Sequence, residues 1–336
     1  MSTDIDDSKD HSASWFIYRD GSRIPKQDVA QIRVADTVTV LERQSFQLCS
    51  RLTAIYLPPT LQTIGESSFR WCYRLEEIVL PEDLRSIDTS AFAYCAALKR
   101  IRIPASVVHL GDSCFQNSGL VSVEIAHDSR LAFIPKSCFE NSPGLARIEL
   151  PTSVTSIKMG AFAGTALKSM NLSDSITSIG SCCFLECTKL VTLFIPDSCL
   201  TLGPSLAEGC YLLEHVELPE CLRQIPDSCF EECRSLHYIR IPATVQEIGE
   251  KAFLNCKMLS EVDFRGNTGL TTVGKRAFSG CRTLSTISLP DSLRVIDDEA
   301  FHGCWSLSTR ALPTDRDFLT LGQDVFAQCQ LHHDNS

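Results

Sequence analysis

The chain has 336 residues, a formal net charge of −10 and a hydrophobic share of 44%. This composition predicts a soluble protein with a full core. Its acidity argues against a nucleic-acid or anionic-membrane partner, because both bind clustered lysine and arginine. The first eleven residues are polar and lack the basic start and apolar run of a signal peptide. No stretch is long and apolar enough to cross a bilayer, so we expect a cytoplasmic protein without membrane insertion.

The N-terminal part of the chain divides into two predicted segments. Residues 1–11 are predicted to be disordered, because they are polar and carry four aspartates. In residues 12–28 an apolar run, Trp15 to Tyr18, precedes Arg19-Asp20-Gly21-Ser22, which is a signal for a hairpin turn. We interpret residues 12–28 as a hairpin-like cap that covers the open edge of the structure that follows.

Residues 29–329 contain a repeat whose phenylalanine returns every 22 to 25 residues. The phenylalanines are Phe46, Phe69, Phe92, Phe115, Phe139, Phe162, Phe184, Phe230, Phe253, Phe278, Phe301 and Phe326, and Ala207 fills the one gap. We call this position the Phe slot. Aliphatic residues lie five and eight positions before it, an aliphatic pair lies twelve and fourteen before it, and cysteine lies three after it in ten turns.

The unit reads L-x-x-I-x-L-P-x-x-L-x-x-I-G-x-x-A-F-x-x-C. Its I-x-L pair alternates with period two, which predicts a short strand with one buried face. Proline then ends the strand, because it cannot donate to a ladder. A single unit cannot bury its own apolar face, so we expect about thirteen stacked turns with one continuous core, roughly 60 Å long at the usual strand spacing.

The joint recurrence of the proline, the I-G step, the A-F pair and the cysteine resembles the BspA-like (Treponema-type) leucine-rich repeat. The resemblance covers about residues 29–329 and implies an α/β repeat solenoid. In such a solenoid a right-handed coil has a parallel β-sheet on its concave side and loops or short helical turns on its convex side. The resemblance also implies a non-enzymatic protein that binds other proteins and, in some members, host cells.

Several turns depart from the unit. In three of them a hydroxyl replaces the cysteine, at Ser118, Ser142 and Thr165. Insertions of one or two residues precede Phe139, Phe278 and Phe326, and we expect local kinks in the solenoid at these three places.

Fifteen of the seventeen cysteines occupy slots where the repeat needs a small buried residue. They are therefore predicted to be free thiols that act as small hydrophobes, although disulfides between stacked cysteines are geometrically allowed. Only Cys182 and Cys221 are predicted to be exposed. Cys329 with His332 and His333 is a conceivable ligand trio, but a flexible tail is the favoured interpretation of residues 330–336. We expect no metal and no cofactor.

The segment from Gly269 to Arg276 nearly matches a phosphate-binding loop, but Arg276 stands where that motif needs a hydroxyl for magnesium. No pattern of a nucleophile with a base appears, so no catalytic residue is predicted and the protein is not expected to be an enzyme.

Candidate binding residues lie between the buried positions of the strands, where side chains point out of the concave sheet. Phe194, His215, Tyr238 and Arg240 fall on neighbouring strands and form a predicted hot spot, because tyrosine and arginine are enriched in such patches. In this register Arg240 lies between Glu217 and Asp263. Tyr56 with Val79 forms a second apolar patch. The alternative is that these side chains only stabilise the sheet surface, by a few tenths of a kcal/mol each.

The sequence thus predicts a non-enzymatic scaffold that binds a protein partner on the concave face. The alternative function is a surface-exposed, adhesin-like protein that is exported without a recognisable signal peptide. No further strand or cap follows Cys329, so that end offers a surface for a homodimer.

Overall fold

The structure is a computed structural model that describes residues 15–311 and 318–330. The predicted disorder of residues 1–11 and the ligand trio with His332 and His333 lie outside these residues. Within them the chain is a parallel β-solenoid, and most turns contribute a longer strand, a two-residue strand and a tight outer turn.

The longer strands form one face, which we call the long-strand face. Its strands are Phe16–Tyr18, Gln31–Val34, Ala54–Tyr56, Glu77–Ile78, Arg100–Ile103, Ser122–Ile125, Arg147–Ile148, Ser169–Asn171, Thr192–Phe194, His215–Glu217, Tyr238–Arg240, Glu261–Asp263, Thr286–Ser288 and Thr309–Ala311. These strands alternate between exposed and buried residues, as the I-x-L pattern predicts. In Arg100–Ile103, for example, Ile101 and Ile103 are buried and the two arginines are exposed.

The two-residue strands form a second face, which we call the short-strand face. Its strands are Val40–Leu41, Thr63–Ile64, Ser86–Ile87, His109–Leu110, Phe133–Ile134, Ser156–Ile157, Ser178–Ile179, Thr201–Leu202, Gln224–Ile225, Glu247–Ile248, Thr272–Val273, Val295–Ile296 and Thr320–Leu321.

Proline interrupts the short-strand ladder at two junctions between turns. The residue after each short strand normally donates its N–H to the preceding turn, as Gly111 N does to Ile87 O at 2.8 Å. Pro135 and Pro226 occupy this position and have no N–H to donate. The ladder accordingly breaks before Phe133–Ile134 and before Gln224–Ile225.

The long-strand ladder breaks at four other junctions, namely before Arg100–Ile103, Ser169–Asn171, Tyr238–Arg240 and Thr286–Ser288. In the described residues no junction loses both ladders, because the breaks of the two faces fall between different turns.

The outer turns are not helical, and the prediction of an α/β class with short helical turns is therefore wrong. The residues two before and two after the Phe slot adopt positive φ, for example Ser67 at 56° and Trp71 at 63°. A left-handed residue at each end prevents the consecutive right-handed conformations that a helix needs. Instead each turn donates three backbone N–H groups to the next turn, such as Phe69 N to Ala91 O at 2.8 Å.

The phenylalanines form two files in the core, as the repeat predicts. Neighbouring rings from Phe46 to Phe184, and from Phe230 to Phe326, stack with centroids 5.0 to 5.9 Å apart. The files are separated by Ala207. In most turns a small residue directly precedes the large phenylalanine. At Ala207 this order is reversed, because the fully buried Leu206 occupies the position of the small residue and Ala207 that of the large one.

The cysteines beside these files are hydrogen-bond donors as well as small hydrophobes. Nine of the ten thiols three positions after the Phe slot lie 3.1 to 3.3 Å from the carbonyl oxygen of the Phe slot in the preceding turn, as Cys256 Sγ does from Phe230 O, and the tenth, Cys49, belongs to the first turn. We call this row the thiol file. Ser142 makes the same bond to Phe115 O at 3.1 Å, and its hydroxyl also lies 3.0 Å from that of Ser118.

The first described strand is not part of a hairpin. Phe16–Tyr18 pairs in parallel with Gln31–Val34, and the turn at Arg19 to Ser22 leads into a loop instead of an antiparallel partner. The hairpin prediction for residues 12–28 is therefore wrong, whereas their capping role stays a prediction. The Tyr18 ring meets Phe46 edge-on at 4.9 Å, at the start of the phenylalanine file.

The insertion before Phe278 is accommodated around Asn267. Its buried side-chain amide donates to Pro242 O and Val245 O at 2.8 and 3.0 Å and accepts from the Gly269 and Leu270 amides. The insertion before Phe139 coincides with the ladder break at Pro135, and the one before Phe326 reaches into residues outside the described part. Kinks at the three insertions stay a prediction.

Candidate protein-binding site

The long-strand face brings three of the four predicted hot-spot residues to one cleft. This cleft of about 650 Å³ is lined by Phe194, Val216, Tyr238 and Arg240, among others. Phe194 and Tyr238 are 39% and 41% exposed, so each keeps part of its ring free for a partner. His215 lies on the strand between them but does not line the cleft.

The strand register places Arg240 beside Asp263 as predicted, but the charged side chains pair differently. Arg240 does not lie in an ion pair with Glu217 or Asp263 but contacts Glu220, in the loop after the neighbouring strand His215–Glu217, with 2.8 Å between Nη1 and Oε1. Asp263 is held by Arg265 through two side-chain bonds of 2.7 and 2.9 Å. Arg265 therefore holds the pKa of the buried Asp263 carboxyl well below its usual range.

The Tyr238 hydroxyl is also engaged, because it donates to Asp263 Oδ2 at 3.0 Å. Partial desolvation, followed by this bond to a carboxylate, raises the pKa of Tyr238. The bond fixes the orientation of the ring, so that one ring edge is anchored on Asp263 while the ring lines the cleft. A pre-oriented aromatic side chain loses little conformational entropy when a partner binds.

The second predicted patch lies at the other end of the same face. Tyr56 and Val79 are 38% and 82% exposed and line a cleft of about 480 Å³ together with Trp15 and Pro59. The Arg33 guanidinium stacks over the Tyr56 ring at 4.4 Å from its centroid. Trp15 and Arg33 were missed in the sequence, although Arg33 occupies the same strand position as Tyr56 one turn earlier.

The buried thiols are unsuited to act as nucleophiles. Burial raises the pKa of Cys49 to about 11, of Cys95 to about 12 and of Cys187 to about 11, so these groups stay protonated near neutral pH. All seventeen cysteines are free. In the described ranges 15–311 and 318–330, no three histidine, cysteine or acidic residues are arranged to hold a metal ion, and no helix there could span a membrane.

Comparison with known proteins identifies the repeat. The family described as "BspA type Leucine rich repeat region (6 copies)" matches residues 26–142, 132–260 and 223–335. The chain belongs to the BspA-type leucine-rich repeat family. Leucine-rich repeat proteins of this kind are in general non-enzymatic interaction scaffolds, and this BspA-type protein has the same architecture.

Solved structures support this assignment. A leucine-rich repeat protein from Bacteroides ovatus is 27% identical, with a TM-score of 0.65 over 90% of this chain and 76% of that one. A leucine-rich repeat protein from Eubacterium ventriosum is 17% identical, with a TM-score of 0.53 over 90% of this chain and 84% of that one, and shares the fold. No curated protein sequence matches the chain.

Proposed function

We propose that this BspA-type protein is a non-enzymatic scaffold that binds a protein partner on its long-strand face. This face corresponds to the concave sheet that the family resemblance implies. The observation that carries the proposal is the cleft between Phe194 and Tyr238, where two half-exposed aromatic rings and Val216 are accompanied by charged side chains such as Arg240. Aromatic side chains in such a position supply much of the binding energy of protein interfaces, together with arginine. Arg240 and His215 complete the proposed contact surface, and Tyr56 with Val79 is a second contact for a long partner.

Photo-crosslinking in the native cell tests this proposal. A photoreactive phenylalanine analogue at position 194 should crosslink to a partner protein, whereas the same analogue at Phe133, which is equally exposed on the short-strand face, should not. The Phe194→Ala/Tyr238→Ala variant should lose most of the partner in co-purification while it keeps its fold. The matched control, Tyr73→Ala/Phe133→Ala, removes two exposed aromatic rings elsewhere and should keep the partner. Equal retention by both variants would contradict the proposal.

We propose a cytoplasmic location, and the free state of all seventeen cysteines supports it. Disulfides are rare in the reducing cytosol, whereas cysteine-rich chains that fold in an oxidising compartment commonly carry them. Fractionation of the native cell with protease protection of intact cells tests this. Digestion of the protein on intact cells would instead favour the adhesin-like function.

We further propose that the C-terminal end serves as a contact between two copies. Leu321 is 49% exposed, whereas the equivalent Ile296 is fully buried, and the nearby Phe318 is 66% exposed. Leu321→Glu should lower the molar mass measured by light scattering from that of a dimer to that of a monomer. A wild-type monomer at high concentration would remove this proposal.

A further inference from the structure

The C-terminal half of the solenoid carries a second exposed surface on its flank, in the position directly after the thiol file. Successive turns place Tyr211, Arg234, Lys257, Arg282 and Trp305 there, one turn apart. We call this row the flank stripe. With neighbouring turns about 5 Å apart, as the stacked rings of the interior are, the stripe is about 20 Å long.

An aromatic ring stacks against an arginine near each end of the flank stripe. The Arg234 guanidinium lies 4.5 Å from the Tyr211 ring centroid, and that of Arg282 lies 4.2 Å from the Trp305 ring centroid. When an aromatic ring packs against the flat face of a guanidinium, the ring holds the guanidinium in place. The N–H groups at the guanidinium edge stay available as donors. The two arginines are therefore pre-oriented for carboxylates that approach from solvent.

The positive charge of the stripe is only partly neutralised. Arg234 pairs with Glu232 at 2.7 Å, but neither Lys257 nor Arg282 forms an ion pair within the part of the chain that the structure describes. Two uncompensated cations one turn apart are notable in a chain with a net charge of −10. They attract a locally anionic partner.

Apolar side chains accompany these cations. Tyr211 and Trp305 are 39% and 48% exposed, and beside the stripe Leu212 and Met258 are 45% and 46% exposed. A row of exposed apolar side chains interleaved with cations is typical of a protein contact surface.

We propose that the flank stripe binds an extended acidic segment of a partner protein, in which carboxylates alternate with apolar side chains. An extended chain advances about 3.3 Å per residue, so about six residues cover the stripe. The carboxylates pair with Lys257, Arg282 and Arg234, and the apolar side chains contact Tyr211 and Trp305.

Neighbouring carboxylates favour such a peptide over a nucleic acid or an anionic bilayer. Glu232 lies on one side of the stripe, and the exposed Glu214 and Glu261 lie on the other. The closely spaced phosphates of a nucleic acid or an anionic bilayer would be repelled by these three carboxylates and by the overall negative charge. The more widely spaced carboxylates of a peptide can avoid them. The stripe shares no residue with the cleft between Phe194 and Tyr238, so this proposal is independent of the scaffold proposal.

Fluorescence anisotropy tests the proposal with a labelled twelve-residue peptide in which glutamate alternates with leucine or serine. The same peptide with glutamine for glutamate, a single-stranded oligonucleotide and vesicles with anionic lipid are the comparison ligands. Wild-type protein should bind the acidic peptide, and Lys257→Glu/Arg282→Glu should weaken binding by about tenfold or more, as loss of close charge pairs does. Trp305→Ala should weaken it by a smaller factor.

The matched control is Arg51→Glu/Arg74→Glu, which makes the same change of net charge at two exposed arginines of the N-terminal half. It should leave the affinity within about twofold, because distant surface charges are screened at physiological salt, and circular dichroism should show all variants folded. Equal weakening by the control, no binding of the acidic peptide, or tighter stripe-dependent binding of the oligonucleotide or vesicles would overturn the proposal. The Phe194→Ala/Tyr238→Ala variant should bind the peptide normally, which separates this outcome from that of the scaffold proposal.

Discussion

In the turn around Phe253, the interior is filled by a small residue, Ala252, followed by the large ring. In the turn around Ala207 the order is reversed, because Leu206 provides the volume and Ala207 the small side chain. Both turns bury these side chains completely and both keep the three backbone bonds to the next turn. The comparison shows that each turn must fill the same space and satisfy the same backbone groups, while the residues that do so can differ.

The same lesson holds for hydrogen bonds. In the regular turns a thiol satisfies the carbonyl of the preceding Phe slot, whereas Ser142 satisfies that of Phe115 with a hydroxyl. Where an insertion displaces the chain, Asn267 supplies four bonds to backbone groups. Its bond to Val245 O takes the place of the hydroxyl bond that Thr244 and Ser292 make to the equivalent carbonyl in other turns. Irregular turns thus satisfy carbonyl groups of the preceding turn with a different polar side chain.

The reversed pair gives the largest expected effect. Leu206→Ala should lower the free energy of unfolding by about 2–5 kcal/mol, because it leaves a cavity between the two phenylalanine files. Ala207→Phe alone should cost about 1–3 kcal/mol by overpacking. The double variant restores the regular order, so its cost should be well below the sum of the two. Chemical denaturation of all four proteins measures this coupling, and additive losses would show that the two positions do not share one volume.

Asn267→Ala should cost about 3 kcal/mol, because it leaves two buried carbonyls and two amides without their partner. Asn171→Ala is the control, since Asn171 is exposed on the long-strand face and forms no such network. Thermal unfolding of both variants measures the difference. A loss no larger than that of the control would mean that the insertion does not depend on Asn267.

Ser142→Ala should cost about 1–2 kcal/mol, because the Phe115 carbonyl and the Ser118 hydroxyl both lose a buried partner. Ser142→Cys should cost less, since a thiol restores the donor that the regular turns use. Cys256→Ala should cost about 1 kcal/mol. If Ser142→Ala and Ser142→Cys were equally destabilised in urea denaturation, the donor role of this position would be refuted.

Thiol labelling, which is not expected to affect stability, compares the reactivity of cysteines inside the buried slots of the repeat with that of cysteines outside them. Cys182 and Cys221 lie outside the buried slots of the repeat and are partly exposed, as predicted, but Cys329 is partly exposed as well. A disulfide reagent should therefore label these three in the native protein. The fourteen buried thiols should react only after unfolding, because burial holds their pKa above the usual value and excludes the reagent. Cys182→Ser/Cys221→Ser/Cys329→Ser should abolish the fast phase, and a persistent fast phase of unchanged amplitude would show that the interior is accessible.

The strands and the shared core could be predicted from the sequence, because period-two alternation and a recurring large apolar residue have one simple structural solution. The outer turns could not, since the spacing of aliphatic, phenylalanine and cysteine slots fits a helical turn as well as a left-handed bend. The hint lay in Asn117, Asn141 and the glycines such as Gly280 at one slot, because asparagine and glycine tolerate positive φ.

The donor role of the cysteines was missed for a similar reason. Their replacements in the repeat are Ser118, Ser142 and Thr165, all of which carry a hydroxyl, whereas a purely apolar slot would also admit alanine. At the candidate binding site, strand register placed Phe194 and Tyr238 correctly on one face. Register could not predict the pairing of Arg240 with Glu220. The long arginine side chain reaches into a loop, and the alternation of buried and exposed residues describes only strands.

The offset between the ladder breaks on the two faces has a consequence for cooperativity. The stability of a repeat protein is approximately a sum over its turns and their nearest-neighbour contacts, so the weakest contact decides where an array separates. Here every junction of the described turns keeps the three outer-turn bonds and at least one strand ladder. No contact is much weaker than the rest, and the array is therefore expected to unfold in a single transition despite its length.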